Sequence, residues 1–479
     1  MKIKPLLNIM GALLTLIGIT MVVPIFISLG YGESDLEGFI ISSAICIVLG
    51  IPAWFLTRYD RMLTNRDGFA IVTFSWILTG IAGSLPFYFT SAIPNVTDAF
   101  FESMSGVTTT GASILNDIES LSHSVLYWRS FLQWIGGMGI IVFYIAILPL
   151  LGVGGVQLFK AEVPGPVADK ITPRVRETAK LLWIVYIGIT LAEVVALSLS
   201  GMSIFDAVCH SFTTMPTGGF STKNASIGYF ENSVTHYIII FFMFLAGVNF
   251  SLHFYALSGN LKSYFRDREF QVYLSTIILV TSVIFLFIYF RPGSGGPTLF
   301  REALFQTVSI LSTTGYGIAD YELWPVFVQV ILLSLMFVGG MGGSTGGGMK
   351  VIRIMVLVKY CSLEIRRLLH SKALIPVRIG ERHIQDNVVR NTLGFFLFFI
   401  LAFIISALLL TFMGIDFETA VGAAASAMGN IGPGLNEFGP TDNYASMPVP
   451  GKWLLIICML LGRLEIFTVI VLFSRTFWK

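Results

Sequence analysis

Four stretches of this 479-residue chain share a pattern that could coordinate a cation. They read DAFFESMSGVTTTGAS (98–113), DAVCHSFTTMPTGGFS (206–221), EALFQTVSILSTTGYG (302–317) and TAVGAAASAMGNIGPG (419–434). Each is about a dozen mildly apolar residues, too few to cross a bilayer, followed by Thr-Gly or its Asn-Ile-Gly counterpart. A short helix that stops at mid-membrane must return through extended backbone. Its carbonyls need partners that lipid cannot supply. Four such turns around one axis would present rings of carbonyl oxygens able to replace the water around a dehydrated cation. Glycine suits the turn because inward-pointing carbonyls require positive φ at some residues. The candidate ligating residues are Thr109, Thr110 and Gly111; Pro216, Thr217 and Gly218; Thr313, Thr314 and Gly315; and Asn430, Ile431 and Gly432. In the second stretch Gly219 fits the helix register slightly better than Gly218, so the turning glycine is open by one position. Pro216 lacks an N–H and predicts a second turn hydrogen-bonded unlike the other three.

A second feature is VGGMGGSTGGGMKV (338–351), in which seven of the eleven residues Gly339–Met349 are glycine. At about 1 kcal/mol per glycine, roughly 7 kcal/mol of helix propensity is given up inside an apolar stretch. A phosphate-binding loop is excluded: Met349 separates Gly348 from Lys350, Val351 replaces the Ser/Thr, and no strand precedes. Non-helical backbone at membrane depth is tolerated where it lines a watery path or is buried in protein. The expected loop comprises Gly339, Gly340, Gly342, Gly343, Ser344, Thr345, Gly346, Gly347 and Gly348. Arg463, mid-way along the last apolar stretch, costs at least roughly 2.5 kcal/mol at bilayer centre and should face the bundle interior. A pairing with Glu465 is poor, because residues two apart point in different directions on a helix. Glu193 is read as an inter-helix hydrogen-bond partner, Arg129 and Glu102 as a structural pair, and Lys350 as a snorkelling anchor at the helix end.

The elements that position these residues are membrane helices. The chain is 55% hydrophobic and 12% charged, with net charge +2 and a mean hydropathy of +0.79. That composition describes an all-α polytopic membrane protein. Apolar spans are expected at about 6–29, 37–57, 68–90, 125–151, 177–200, 234–258, 271–290, 325–360, 388–413 and 452–475. Lys2 and Lys4 precede a first span without a cleavage signal, so it is read as retained. The four half-length stretches fall between paired spans, which gives a span, short helix, glycine turn, span unit occurring four times. The divisions are a two-helix extension at 1–67 and units at 68–160, 161–262, 263–370 and 371–479. Basic residues gather on one side: Arg58, Arg61 and Arg66; Lys160, Lys170, Arg174, Arg176 and Lys180; Lys262, Arg266 and Arg268; Arg366, Arg367, Lys372, Arg378, Arg382 and Arg390. The positive-inside rule then places both termini in the cytoplasm.

The four glycine turns, the tandem units and the late GGSTGGGMK run resemble the Trk/Ktr superfamily of potassium transport subunits, in its TrkH-like branch. GGMGI (136–140), AEVPGP (161–166), GRLEIFT (462–468) and the two extra N-terminal spans add to that likeness, which covers essentially the whole chain. The resemblance implies channel-like K+ uptake across the bacterial inner membrane, through a selectivity filter of the four turns. It implies that the glycine run is a gate beneath the filter with Arg463 beside it. It also implies a homodimer, and a cytosolic TrkA-type ring that binds ATP/ADP or NAD(H) while this chain binds no nucleotide. Gly111 keeps the pattern associated with potassium rather than sodium preference.

Other functions find little support in the residues. His123, His210, His236, His253, His370 and His383 show no metal-ligand spacing, and Cys46, Cys209, Cys361 and Cys458 are scattered. No enzyme activity is expected. The competing transport mechanism is an H+- or Na+-coupled potassium symporter; a carrier built on inverted repeats is disfavoured because all four units share one orientation.

Overall fold

The computed structural model describes residues 3–57, 64–142, 172–291, 296–370, 376–380 and 382–478. Lys2, Arg58, Arg61, Lys160, Lys170, Lys372, the AEVPGP motif, the end of the fourth expected span and the 160/161 division lie outside the described residues. The described residues are mostly helical. Among the described residues the strands are one antiparallel pair, Arg378–Ile379 with Arg382–His383.

Among the described residues six helices are long and apolar enough to cross a membrane: Ile3–Tyr31, Leu36–Leu56, Arg66–Phe89, Glu177–Leu199, Arg268–Tyr289 and Asp386–Phe412. Two further expected spans are broken, which corrects the reading of 234–258 and 452–475 as continuous. Ser233–Ala246 meets Phe250–Leu257 at 103°, and Val449–Arg463 meets Phe467–Phe473 at 110°. At the first break the backbone bonds elsewhere: Met341 N–H donates to the Gly247 carbonyl at 2.9 Å and Phe250 N–H to the Gly343 carbonyl at 3.1 Å. Asn249 caps the second piece by accepting from Ser251 N–H at 2.8 Å. The other break passes through Glu465 and Ile466 at φ 55° and 35°, which no helix accommodates. The eighth expected span is divided as the glycine run requires, into Val326–Met336 and Val351–Leu369.

Four short helices lie between the longer ones: Val96–Val107, Ile204–Thr214, Leu299–Ser312 and Phe417–Gly429. Each carries an acid in its first turn (Asp98, Asp206, Glu302, Glu418), which favours the positive end of the helix dipole. Three also have a side-chain cap, from Asn95, Ser203 and Asp416. Their carboxyl ends are wholly buried.

The core falls into contiguous clusters. One joins Ile17 and Phe39 of the N-terminal helices to Phe101, Trp128, Met428 and Leu455; another joins Ile239, Ile277, Phe305 and Leu332. A third, around Tyr186, Met215 and Phe250, bridges the first and second units. The N-terminal helices approach so closely that a Cβ on Gly11 would lie 2.5 Å from the Trp54 nitrogen, and Ser43 donates to the Gly18 carbonyl at 2.8 Å. Their connecting turn is tied to the helix His123–Val142, where Glu33 accepts from the N–H groups of His123 and Ser124 at 2.7 and 3.1 Å.

Candidate functional site

Each short helix closes on a residue in the left-handed region: Thr109 (φ 53°), Thr217 (58°), Thr313 (64°) and Asn430 (54°). The N–H of that residue donates to the carbonyl three positions back, and the following N–H to the one five back. The pairs are Thr109 to Gly106 and Thr110 to Ser105 (2.9 and 2.8 Å); Thr217 to Thr214 and Gly218 to Thr213 (both 2.8 Å); Thr313 to Ile310 and Thr314 to Ser309 (3.1 and 2.9 Å); Asn430 to Ala427 and Ile431 to Ser426 (3.4 and 3.0 Å). This is a Schellman closure made four times. One residue further on, glycine returns to positive φ: Gly111 83°, Gly219 77°, Gly315 79° and Gly432 107°.

That equivalence corrects the register of the second turn. Its residues are Thr217, Gly218 and Gly219, and Gly219 is the turning glycine. Pro216 stands one position earlier, where the first helix has Thr108, the third Ser312 and the fourth Gly429. The missing N–H therefore removes one helical bond, of the kind Thr108 makes to the Met104 carbonyl at 2.8 Å, and leaves both closing bonds in place. The expectation that proline would alter the second turn's hydrogen bonding was wrong for that reason.

The turns touch one another in a closed order. A Cβ on Gly111 would overlap the Gly218 carbonyl, one on Gly219 the Thr314 carbonyl, and one on Gly315 the Ile431 carbonyl. One on Gly432 would lie 2.8 Å from the Thr110 carbonyl. Buried polar side chains brace the group from behind. Gln133 donates to the Gly218 carbonyl at 2.7 Å and accepts from Phe220 N–H at 3.1 Å. Asn430 donates to Thr110 Oγ1 at 3.0 Å and to the Met459 carbonyl at 2.9 Å. Tyr444 and Ser426 donate to the Gly432 carbonyl at 2.9 and 2.8 Å. Arg129 and Glu102 form the expected pair, 2.8 Å apart and both buried. Arg129 also reaches the Ser221 carbonyl at 3.1 Å, joining the first unit to the second. His210 is hydrogen-bonded at both nitrogens, with Asp206 O at 2.8 Å and Ser221 Oγ at 3.0 Å, a structural arrangement.

The glycine run passes directly against the carboxyl ends of the short helices. Residues 337–350 are non-helical, with Gly339, Gly343, Gly348 and Lys350 at positive φ. Thr345 Oγ1 donates to the Met215 carbonyl at 2.8 Å and lies 3.1 Å from the Ala246 carbonyl, while Gly347 N–H donates to Thr313 Oγ1 at 2.6 Å. A Cβ on Gly346 would lie 2.8 Å from the Ser312 carbonyl, and one on Gly347 would overlap that of Gly429. Ser344 and Thr345 are fully buried. The loop thus contacts three of the four units at their turns.

Charged side chains hold the same place. Arg463 is buried and donates to the Thr345 carbonyl at 2.7 Å and to the Gly136 carbonyl at 3.4 Å. Glu465 pairs with Arg353 at 2.5 Å. Lys350 was expected to snorkel; instead it is buried, with Nζ donating back to the Gly346 carbonyl. Its positive φ turns the side chain under the loop rather than along the helix. Glu193 is fully buried. Its side-chain hydrogen-bonding neighbour is Thr214 on the second short helix, which also donates to the His210 carbonyl at 2.8 Å, so the inter-helix role expected of Glu193 has its partner in Thr214. Among the described residues no cluster of His, Cys, Asp and Glu could hold a metal ion. Gln133, Arg353, Asn249 and Glu269, which engage the turns or the loop, escaped sequence reasoning. A polar residue one helical turn on from Arg129 and Ser130 in WRSFLQWIGG was the available signal for Gln133.

A family model described as a cation transport protein, TrkH, matches residues 36–291 and 296–479. The chain belongs to the TrkH family. It is 42% identical to the Trk system potassium uptake protein TrkH of Salmonella typhimurium and 43% to that of Vibrio parahaemolyticus, each over the full length of both proteins. It is 38% identical to the protein TrkG of Escherichia coli, over 100% of this chain and 99% of that one. A crystal structure of the potassium transporter TrkH from Vibrio parahaemolyticus matches with a TM-score of 0.91 at 40% identity, covering both chains entirely. The TrkH-like resemblance read from the sequence is therefore correct, and the family is one of transport proteins rather than enzymes. The chain is an all-helical, multi-pass membrane protein of that family.

Proposed function

We propose that this chain carries potassium ions into the cell across the bacterial inner membrane, through a filter formed by its four glycine turns around a single pore. The observation that carries this reading is the closed ring of four identically capped turns, each glycine against the next unit's carbonyl. A dehydrated cation at the centre would be held by backbone oxygens of Thr109–Gly111, Thr217–Gly219, Thr313–Gly315 and Asn430–Ile431, the Gly432 carbonyl being taken by Tyr444 and Ser426. The carboxyl ends of four short helices also converge there, and their dipoles favour positive charge.

Residues 337–350 act as the gate. The loop abuts the turns on the side where Thr313 and Met215 meet it, and Arg463 adds a fixed positive charge at the same level. Both termini are cytoplasmic by the positive-inside rule. The protein works as a homodimer, and a cytosolic TrkA-type ring that binds ATP/ADP or NAD(H) controls the gate. These assignments rest on family membership and on the basic cytoplasmic loops.

The decisive experiment is rubidium and sodium flux into proteoliposomes at a defined voltage, with no other gradient imposed. Passive conduction gives rubidium flux that follows voltage and greatly exceeds sodium flux. A requirement for a proton or sodium gradient would replace this mechanism with coupled symport.

A further inference from the structure

A loop with seven glycines has little conformational preference of its own, so its position must be imposed by contacts. The helix that follows it, Val351–Leu369, has no cap of its own. Lys350 occupies the N-cap position at φ 73° without a side-chain cap, and the first turn holds no acid. Buried N–H groups at such a helix start require acceptors from elsewhere.

Glu269 supplies one from a different helix. It lies at the start of Arg268–Tyr289 and is buried. Its Oε1 accepts from Ile352 N–H at 3.0 Å and from Gly342 N–H at 2.7 Å. One oxygen therefore gathers the two flanks of the segment 343–351, and the carboxylate charge suits the positive end of the capped helix. Asp267, two residues earlier, caps Arg268–Tyr289 by accepting from Phe270 N–H at 2.8 Å, which fixes where Glu269 emerges.

We propose that Glu269 is a positioning residue for the gate: a single carboxylate that pins both flanks of the glycine loop and so holds Thr345–Gly347 against the turns. This rests on reading residues 337–350 as the gate. Its consequence has a distinctive sign. An anion removed from the cytoplasmic side of a cation path would, by charge alone, slow cations. Loss of the pin should speed them.

The test uses the full-length protein in proteoliposomes without a partner, with rubidium flux read at fixed voltage. Glu269→Ala should raise flux about tenfold, and Glu269→Gln by less, because an amide oxygen still accepts but more weakly. In a background lacking residues 343–347 the same substitution should add nothing, since nothing remains to be pinned. Flux at or below wild type for Glu269→Ala, or an equal rise in the deletion background, overturns the proposal. Glu269→Gln is also followed by hydrogen exchange across 338–353, where faster exchange is expected and unchanged exchange overturns the pin. The exchange measurement decides the matter if the alanine variant does not fold. A deletion that leaves wild-type flux unchanged would instead sink the gate reading, while exchange still judges Glu269.

Discussion

Gly315 shows what a single atom can decide at this site. At φ 79°, any Cβ would meet the Ile431 carbonyl of the next turn. Gly315→Ser should therefore displace that carbonyl and lower potassium-over-sodium selectivity about tenfold in paired flux measurements. A wild-type ratio would remove the third turn from the filter. Pro216→Ala should leave the ratio within about twofold, because Pro216 precedes the ring and its substitution restores only a helical N–H. The four glycines were legible from spacing, and the helix register already leaned to Gly219 over Gly218 without deciding between them. That depended on where the helix Ile204–Thr214 closes, a question of backbone hydrogen bonds rather than of composition. A separate prediction concerns Glu322, in the connection between a glycine turn and the next helix. Partial burial, followed by the charges of Asp320, Asp442 and Glu418, pushes its pKa from 4.5 up to about 7. The folded protein then keeps a proton that the unfolded chain has released. The resulting stability is complete below the ordinary carboxylate value and is lost as pH rises through about 7. Glu322→Gln should accordingly raise Tm relative to wild type at about pH 8 more than at about pH 5. A pH-independent difference would mean that Glu322 does not titrate in this range.

At the scale of elements, the glycine loop and the end of the helix Val449–Arg463 meet, and the proposed gate treats them as one constriction. Arg463 donates to the Thr345 carbonyl, so the guanidinium and the backbone proposed to block the path are joined. At about 4 Å and an effective dielectric near 20, one unit charge opposes a potassium ion by roughly 4 kcal/mol, before hydration and nearby acids such as Glu465 reduce it. Arg463→Ala and deletion of a few residues within Gly342–Gly348 should each raise partner-independent rubidium flux. Combined, they should give less than the product of the separate increases, because each relieves the same barrier. Unchanged basal flux in either single variant, correctly folded, would place the gate elsewhere. The loop was legible because glycine announces broken helix in composition. The breaks at Gly247–Asn249 and Leu464–Ile466 were not, because one Asn or one Glu within a long apolar stretch does not by itself stop a helix. What bends them is tertiary: loop backbone takes the hydrogen bonds of the first, and strained dihedrals at Glu465 and Ile466, next to the buried Arg353 pair, define the second.

Across the whole molecule, one helix leads from the proposed gate to the face assigned to the cytoplasm by the positive-inside rule. Val351–Leu369 begins where the loop ends and finishes in Glu364, Ile365, Arg366, Arg367, Leu368 and Leu369. Its far end is exposed, with Ile365, Leu368 and Leu369 at 64%, 85% and 77%. Its near end is buried, held by Arg353 on Glu465 and by Ile352 on Glu269. A partner that grips the far end can therefore pull directly on the loop, since a helix transmits displacement along its axis. Arg367 is paired with Glu364 at 2.6 Å, but both side chains are more than a third exposed, and such a pair contributes only a few tenths of a kcal/mol. An acidic surface on a nucleotide-binding ring could take over that arginine cheaply, together with exposed Arg366. Neutralising Arg366 and Arg367 should weaken ring binding by about tenfold, with the loss greatest at low salt, where exposed charges are least screened. The measurement is co-purification and titration of the ring over a range of salt, with rubidium flux as a second readout. Weaker binding with basal flux preserved would separate docking from gating. Binding unchanged at every salt concentration would leave these arginines with orientation in the membrane as their whole role.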